Sequence, residues 1–128
     1  MNGLHLIADL YRCRCNAGLL LDRDTLETLC ETESSSAGLT PLGCYFYQFS
    51  DDAGEQAGVT GTVVLAESHI AIHTWPETGD VTLDVYVCNF SRDNSDRAQA
   101  VYDNIIAALD PSDIVAHRVT RGKILETA

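Results

Sequence analysis

Residues 81 to 88 alternate without exception: Val81, Leu83, Val85 and Val87 are apolar, and Thr82, Asp84, Tyr86 and Cys88 stand between them. Period-two alternation over this length fits a strand with one face in a core and the other turned away from it. Pro76-Glu77-Thr78-Gly79-Asp80, just ahead, supplies turn chemistry. Upstream of the turn, Val59 to about Thr74 reads as one long strand, apolar on both faces at Val63-Val64-Leu65, so the two segments are expected to form a hairpin. Leu4 to Tyr11, the aromatic stretch Cys44 to Phe49, and Ile114 to Val119 read as further strands.

Helical spacing occupies two places. Asp22 to about Ser35 carries acidic residues at its start, sets Leu26, Leu29 and Cys30 on one face and has Gly38 just past its end. Ser91 to Leu109 places Asp93 and Asp96 at the positive end of a helix. Ala98, Val101, Tyr102, Ile105 and Leu109 form a stripe before Pro111 stops it. Ser50 to Gly58 is polar and glycine-bearing, the composition of an exposed loop. Mostly antiparallel strands with two helices imply an α+β fold, a two-layer α/β sandwich with both helices packed on one face of the sheet. At 128 residues the chain fits a single domain, and no repeat, linker or low-complexity tract divides it.

Charge narrows the partners. Nineteen acids against eight bases, net -11, disfavour a nucleic-acid surface or an anionic membrane and suit a cationic small molecule. The N-terminus lacks a basic region followed by a long apolar run, and no stretch approaches the about eighteen apolar residues that span a bilayer, so a cytoplasmic protein is expected. Cys13, Cys15, Cys30, Cys44 and Cys88 are odd in number and lack CxxC spacing; free thiols are expected rather than disulfides or a thiolate zinc site.

Chemistry concentrates in Glu67-Ser68-His69-Ile70-Ala71-Ile72-His73-Thr74-Trp75-Pro76-Glu77. Strands seldom gather a serine, two histidines and a tryptophan so closely, because buried polar groups there must each find a partner. The residues alone leave three readings open. His69 and His73, four apart, could share a metal, although the usual HxxxH site needs a helix and these residues favour β structure. Ser68 could be a histidine-activated nucleophile, although the G-x-S-x-G elbow is absent. A half-buried strand with structurally satisfied histidines is the third.

Ala66-Glu67-Ser68-His69-Ile70-Ala71-Ile72-His73-Thr74-Trp75-Pro76-Glu77 resembles, nearly residue for residue, the self-cleavage region of short prokaryotic S-adenosylmethionine decarboxylases. The resemblance extends to His5-Leu6-Ile7-Ala8-Asp9-Leu10-Tyr11 with Cys13, to Val59-Thr60-Gly61, to Asp84-Val85-Tyr86-Val87-Cys88 and to Arg121-Gly122. It implies that the Ser68 hydroxyl attacks the Glu67 carbonyl, and that elimination and hydrolysis then leave residue 68 as a pyruvoyl group. The chain would become two fragments, 1–67 and 68–128. The new ketone would condense with the substrate's amino group and act as an electron sink, the role pyridoxal phosphate plays elsewhere, with no metal or external cofactor. The product would serve polyamine synthesis, spermidine in particular.

The resemblance also assigns roles. His73 stands where the family moves protons during self-processing, and Cys88 where it reprotonates the substrate α-carbon. Glu77 matches an acid that binds ribose hydroxyls, Phe49 is the candidate for stacking on adenine, and Thr60 retains a hydroxyl for processing. His69 receives no role. A hairpin centred near Thr78 would set Cys88 opposite Ser68 on the same face. His73, five residues from Ser68, would need a bulge to share that face. A homodimer with active sites at or near the subunit interface is implied as well.

Departures from the pattern bear on specificity. The Ser50–Gly58 loop is longer than in compact members, Asn89 follows the thiol where glycine is common, and Thr120 precedes Arg121-Gly122 where an acid is common. Two alternatives follow: a pyruvoyl-dependent arginine or ornithine decarboxylase on the same scaffold, and an uncleaved, non-catalytic homologue.

Overall fold

The computed structural model describes residues 2–122. Nine elements follow one another: β1 (Asn2–Cys13), α1 (Gly18–Leu21), α2 (Arg23–Ser36), β2 (Pro41–Ser50), β3 (Gln56–Leu65), β4 (Ser68–Trp75), β5 (Asp80–Cys88), α3 (Ser95–Leu109) and β6 (Pro111–Gly122). The strands form one antiparallel sheet in the order β2-β3-β4-β5-β1-β6. The expected α+β sandwich is the architecture found, with a one-turn helix, α1, added to the two anticipated.

Alternation in β5 does what its pattern dictates. Val81, Leu83, Val85 and Val87 are buried, alongside Ile70 and Ile72 of β4, Val59 and Val63 of β3 and Leu4, Leu6, Ala8 and Leu10 of β1. The helices cover this face with Leu26 and Cys30 from α2 and Ala98, Val101, Ile105 and Leu109 from α3. Asp22 caps α2, its carboxylate accepting from the Thr25 N–H at 3.0 Å, and Gly38 beyond the helix takes φ 87°.

Two expectations about β structure change. The segment Val59–Thr74 is not one strand: β3 ends at Leu65, and β4 starts at Ser68 opposite it. The reversal falls on Ala66-Glu67, neither of them a usual turn former, and is possible because Glu67 adopts φ 64°. The sheet therefore has six strands rather than five. The second long helix begins at Ser95, four residues later than its pattern suggested. Asn89 to Asn94 fold instead as a braced loop, with the Asn94 N–H donating to Asn89 Oδ1 at 2.8 Å and Asn94 Nδ2 donating to the Cys88 carbonyl at 3.1 Å.

Among the described residues the helices bury their apolar faces on the core side of the sheet and none lies over the other face. By register that open face presents Tyr45, Tyr47 and Phe49 of β2, Val64 of β3, Trp75 of β4 and Val115 and Val119 of β6, all more than a third exposed. Among the described residues no helix is long and apolar enough to cross a membrane.

Candidate active site

Ser68 opens β4 directly after the turn. It is 7% exposed and faces the helices, and its Oγ is buried without a hydrogen-bond partner among the described residues. An unpartnered buried hydroxyl is costly. Here it sits one bond away from the peptide whose other side is the left-handed Glu67. The Glu67 side chain is held from outside, with Ser91 Oγ donating to Glu67 Oε2 at 3.0 Å.

The β4–β5 register differs by one residue from the expected pairing. Ser68 lies opposite Val87, not Cys88. The connection from Trp75 to Asp80 is the cause: those two residues pair directly, which centres the hairpin half a residue earlier than Thr78. Side chains alternate faces, so Cys88 points to the open face while the Ser68 hydroxyl points to the core. Cys88 remains next to Ser68's partner along β5 and half-buried, with Gly3 of β1 on its other side.

His73 and Thr60 form the second cluster. They are register partners on the open face, and Thr60 Oγ1 and His73 Nδ1 are 3.1 Å apart. Trp75 continues the row, its ring centroid 6.2 Å from that of His73. Phe49, Thr60, His73 and Trp75 together line a cleft of about 290 Å³. Trp75 belongs to the motif read from the sequence but received no role there. The turn that sets β3 against β4 assigns it to the cleft, and its place two residues from His73 on a strand was the available signal. Glu77 lines an adjoining hollow with Asp51, Gln56 and Pro76, sharing only Ala57 with the cleft. His69 packs at 5.5 Å from the Tyr86 ring, and His5 Nε2 lies 3.1 Å from Asp84 Oδ1.

The structure thus brings Thr60, His73 and Phe49 into one place and Glu67, Ser68 and Cys88 into another. No register shift interrupts β4 against its neighbours, so the bulge required to set His73 beside Ser68 is absent from this strand. Five residues at about 3.3 Å each separate the two clusters by about 16 Å. Among the described residues the one group of three potential ligands lying close together is Glu27, Glu31 and Cys44, outside both clusters; the His69–His73 pair belongs to no such group.

A family model described as S-adenosylmethionine decarboxylase matches residues 4–122. The chain belongs to the S-adenosylmethionine decarboxylase family. It is 38% identical over 120 residues to an S-adenosylmethionine decarboxylase proenzyme of Picrophilus torridus, an alignment covering 94% of this chain and 84% of that protein. The proenzyme of Aquifex aeolicus is 39% identical over 125 residues, covering 97% and 84%. The crystal structure of the adenosylmethionine decarboxylase from Aquifex aeolicus superposes with a TM-score of 0.84 at 36% identity, covering 98% of this chain and 95% of that one. These likenesses favour S-adenosylmethionine decarboxylase over the arginine or ornithine alternative.

Proposed function

We propose that this chain is a pyruvoyl-dependent S-adenosylmethionine decarboxylase, a carboxy-lyase, activated by its own cleavage between Glu67 and Ser68 into fragments 1–67 and 68–128. The observation that carries this reading is the Ser68 hydroxyl, buried, without a partner among the described residues and adjoining a left-handed turn at the bond to be cut. Those residues fit the making of a pyruvoyl group. Ser68 Oγ adds to the Glu67 carbonyl carbon, the C–N bond breaks, and the hydroxyl proton ends on the freed amine of residue 68. Loss of the residue 68 Cα proton then breaks the Cβ–Oγ bond, leaving Glu67 as a carboxylate, and one water replaces nitrogen as ammonia. The finished group would supply an electron-withdrawing ketone in the electron-sink role that pyridoxal phosphate plays elsewhere.

The chain's own residues have separable tasks. Cys88, on the open face, returns a proton from Sγ to the substrate α-carbon. Cutting the bond makes residue 68 a chain terminus, no longer fixed by the turn, and lets it leave the core face for the Cys88 side. His73, polarised by Thr60, moves protons during processing. Phe49 and Trp75 offer aromatic faces for the adenine, and Glu77 a carboxylate for ribose hydroxyls. The acidic balance suits a sulfonium substrate. Formation of the decarboxylated product places the enzyme in polyamine synthesis, and the reading includes a cytoplasmic location.

A homodimer through the open faces completes the site. Two clusters about 16 Å apart on one rigid strand cannot meet within a protomer. A two-fold contact reverses one sheet over the other, so the Ser68–Cys88 end of one copy meets the Thr60–His73 end of its partner. The exposed Tyr45, Tyr47, Val115 and Val119 give that contact its apolar area. Co-expression of a Ser68→Ala chain with a His73→Ala chain tests this reading. Neither alone should be cut or release carbon dioxide from S-adenosylmethionine, whereas the mixed dimer should contain a cleaved His73→Ala chain and regain activity. A mixture that stays uncut contradicts the shared site. Release of carbon dioxide from arginine or ornithine in preference to S-adenosylmethionine would overturn the substrate.

A further inference from the structure

We infer that Ser91 is a positioning residue for self-cleavage: it holds Glu67 in a strained left-handed conformation whose release speeds the breaking of the 67–68 bond. The inference rests on the self-cleavage proposed above. A residue with a Cβ is disfavoured at φ 64°, where glycine is not. Strain of this kind persists only where surrounding structure over-determines it, and three features here do so. The connection is two residues long, with Leu65 and Ser68 already paired. The Ala66 N–H donates to the Thr40 carbonyl at 3.1 Å, fixing one side of the turn. Ser91 Oγ grips the Glu67 carboxylate at 3.0 Å on the other.

The grip has a firm base. The loop bearing Ser91 is tied to β1 by the Asn89 N–H donating to the Asn2 carbonyl at 2.8 Å, and to the end of α2 by Arg92 Nη2 donating to the Gly38 carbonyl at 3.1 Å. Asn94 ties the same loop to the Cys88 carbonyl. Beside the turn, a hollow of about 220 Å³ lined by Leu39, Thr40, Ala66, Glu67, Ser91 and Arg92 gives Glu67 space to relax. Once Ser68 Oγ has bonded to the Glu67 carbonyl carbon and the C–N bond has parted, Glu67 no longer closes a two-residue turn. Its backbone can then leave the left-handed region, so the strain is present before the step and gone after it.

The test compares Ser91→Ala, Glu67→Ala and Glu67→Gly by the rate at which fragments appear in freshly synthesised chain, read by denaturing mass spectrometry. Losing one hydrogen bond, Ser91→Ala and Glu67→Ala should each slow cleavage about three- to tenfold. Glu67→Gly loses the strain as well and should be slower than Glu67→Ala by a further factor of about five to thirty. In the uncleavable Ser68→Ala background, where both variants lose the Ser91 hydrogen bond, Glu67→Gly should melt above Glu67→Ala, since only glycine relaxes the turn. A Glu67→Gly melting temperature at or below that of Glu67→Ala, or equal cleavage rates for the two, overturns the strain. A Ser91→Ala rate equal to wild type overturns the positioning role. Failure of the wild-type chain to cleave at all would instead remove the self-processing reading.

Discussion

Gly61 of β3 lies opposite Phe46 of β2, and the Phe46 ring rests directly on it. A Cβ built at Gly61 would fall 2.6 Å from Phe46 Cγ and closer still to Cδ2 and Cε2. Carbon contacts are comfortable at about 3.5–4.0 Å, so the ring would have to retreat by roughly an ångström or more. Phe46 is only 5% exposed and packs in the core, so little free space receives it. Overpacking of this kind costs about 1–3 kcal/mol. For a chain of this size about 2 kcal/mol lowers the melting temperature by roughly 6–10 °C. The assay is thermal unfolding in the Ser68→Ala background at fixed protein concentration, which keeps the chain whole and any dimer equilibrium constant. Phe46→Leu, which replaces the ring with a smaller aliphatic group, should destabilise alone yet partly rescue Gly61→Ala, with a coupling of about 1 kcal/mol or more. A Gly61→Ala melting point within about 2 °C of the parent, or no coupling in the double variant, refutes the packing argument.

Thr60→Val removes the hydroxyl facing His73 Nδ1 at 3.1 Å and should slow fragment formation about tenfold or more, while Thr60→Ser retains most of the rate; equal rates for all three would contradict a role for the hydroxyl. Hydrogen bonds from Thr25, side chain first, and from Gln56 hold the Asp22 carboxyl below its ordinary 3.8. A depressed folded value means that its contribution is present above the ordinary range and lost as pH falls through the lower value. Asp22→Ala should therefore melt lower than its parent at pH 7, with the gap closing in acid; a gap independent of pH would count against the cap. Burial pushes the Cys30 thiol up to about 12, and burial followed by the Glu27 and Glu31 carboxylates does the same for Cys44. Both should stay unalkylated at pH 8 in native protein and react only on unfolding, which peptide mass mapping would show.

Much of the frame was legible because it rests on local physics. The alternation of Val81 to Cys88, the helix read from Asp22 to about Ser35 and the stripe from Ala98 to Leu109 each match the structure, since each residue there agrees with its neighbours on period and polarity. The turn at Ala66-Glu67 was hidden because nothing in its side chains favours reversal. Its position is set by pairing on both sides and by the grip of Ser91, both long-range. That one hidden turn governs the rest. It fixes Thr60 opposite His73, brings Trp75 into the cleft with Phe49, and leaves the Ser68 hydroxyl on the core face. The expected match of Cys88 with Ser68 failed by a single residue, and a single residue in a strand exchanges the two faces. Motif residues could therefore be named one by one from the sequence, whereas their grouping into two separated clusters depended on register.

Intact mass of the purified protein under denaturing conditions tests the account most directly. Two fragments that part between Glu67 and Ser68, the second refusing N-terminal sequencing and lighter than its encoded sequence by the mass of one ammonia, are the predicted result, with a single full-length species for Ser68→Ala. A wild-type chain that remains whole while it decarboxylates S-adenosylmethionine, or a Ser68→Ala chain that is still cut there, would contradict it.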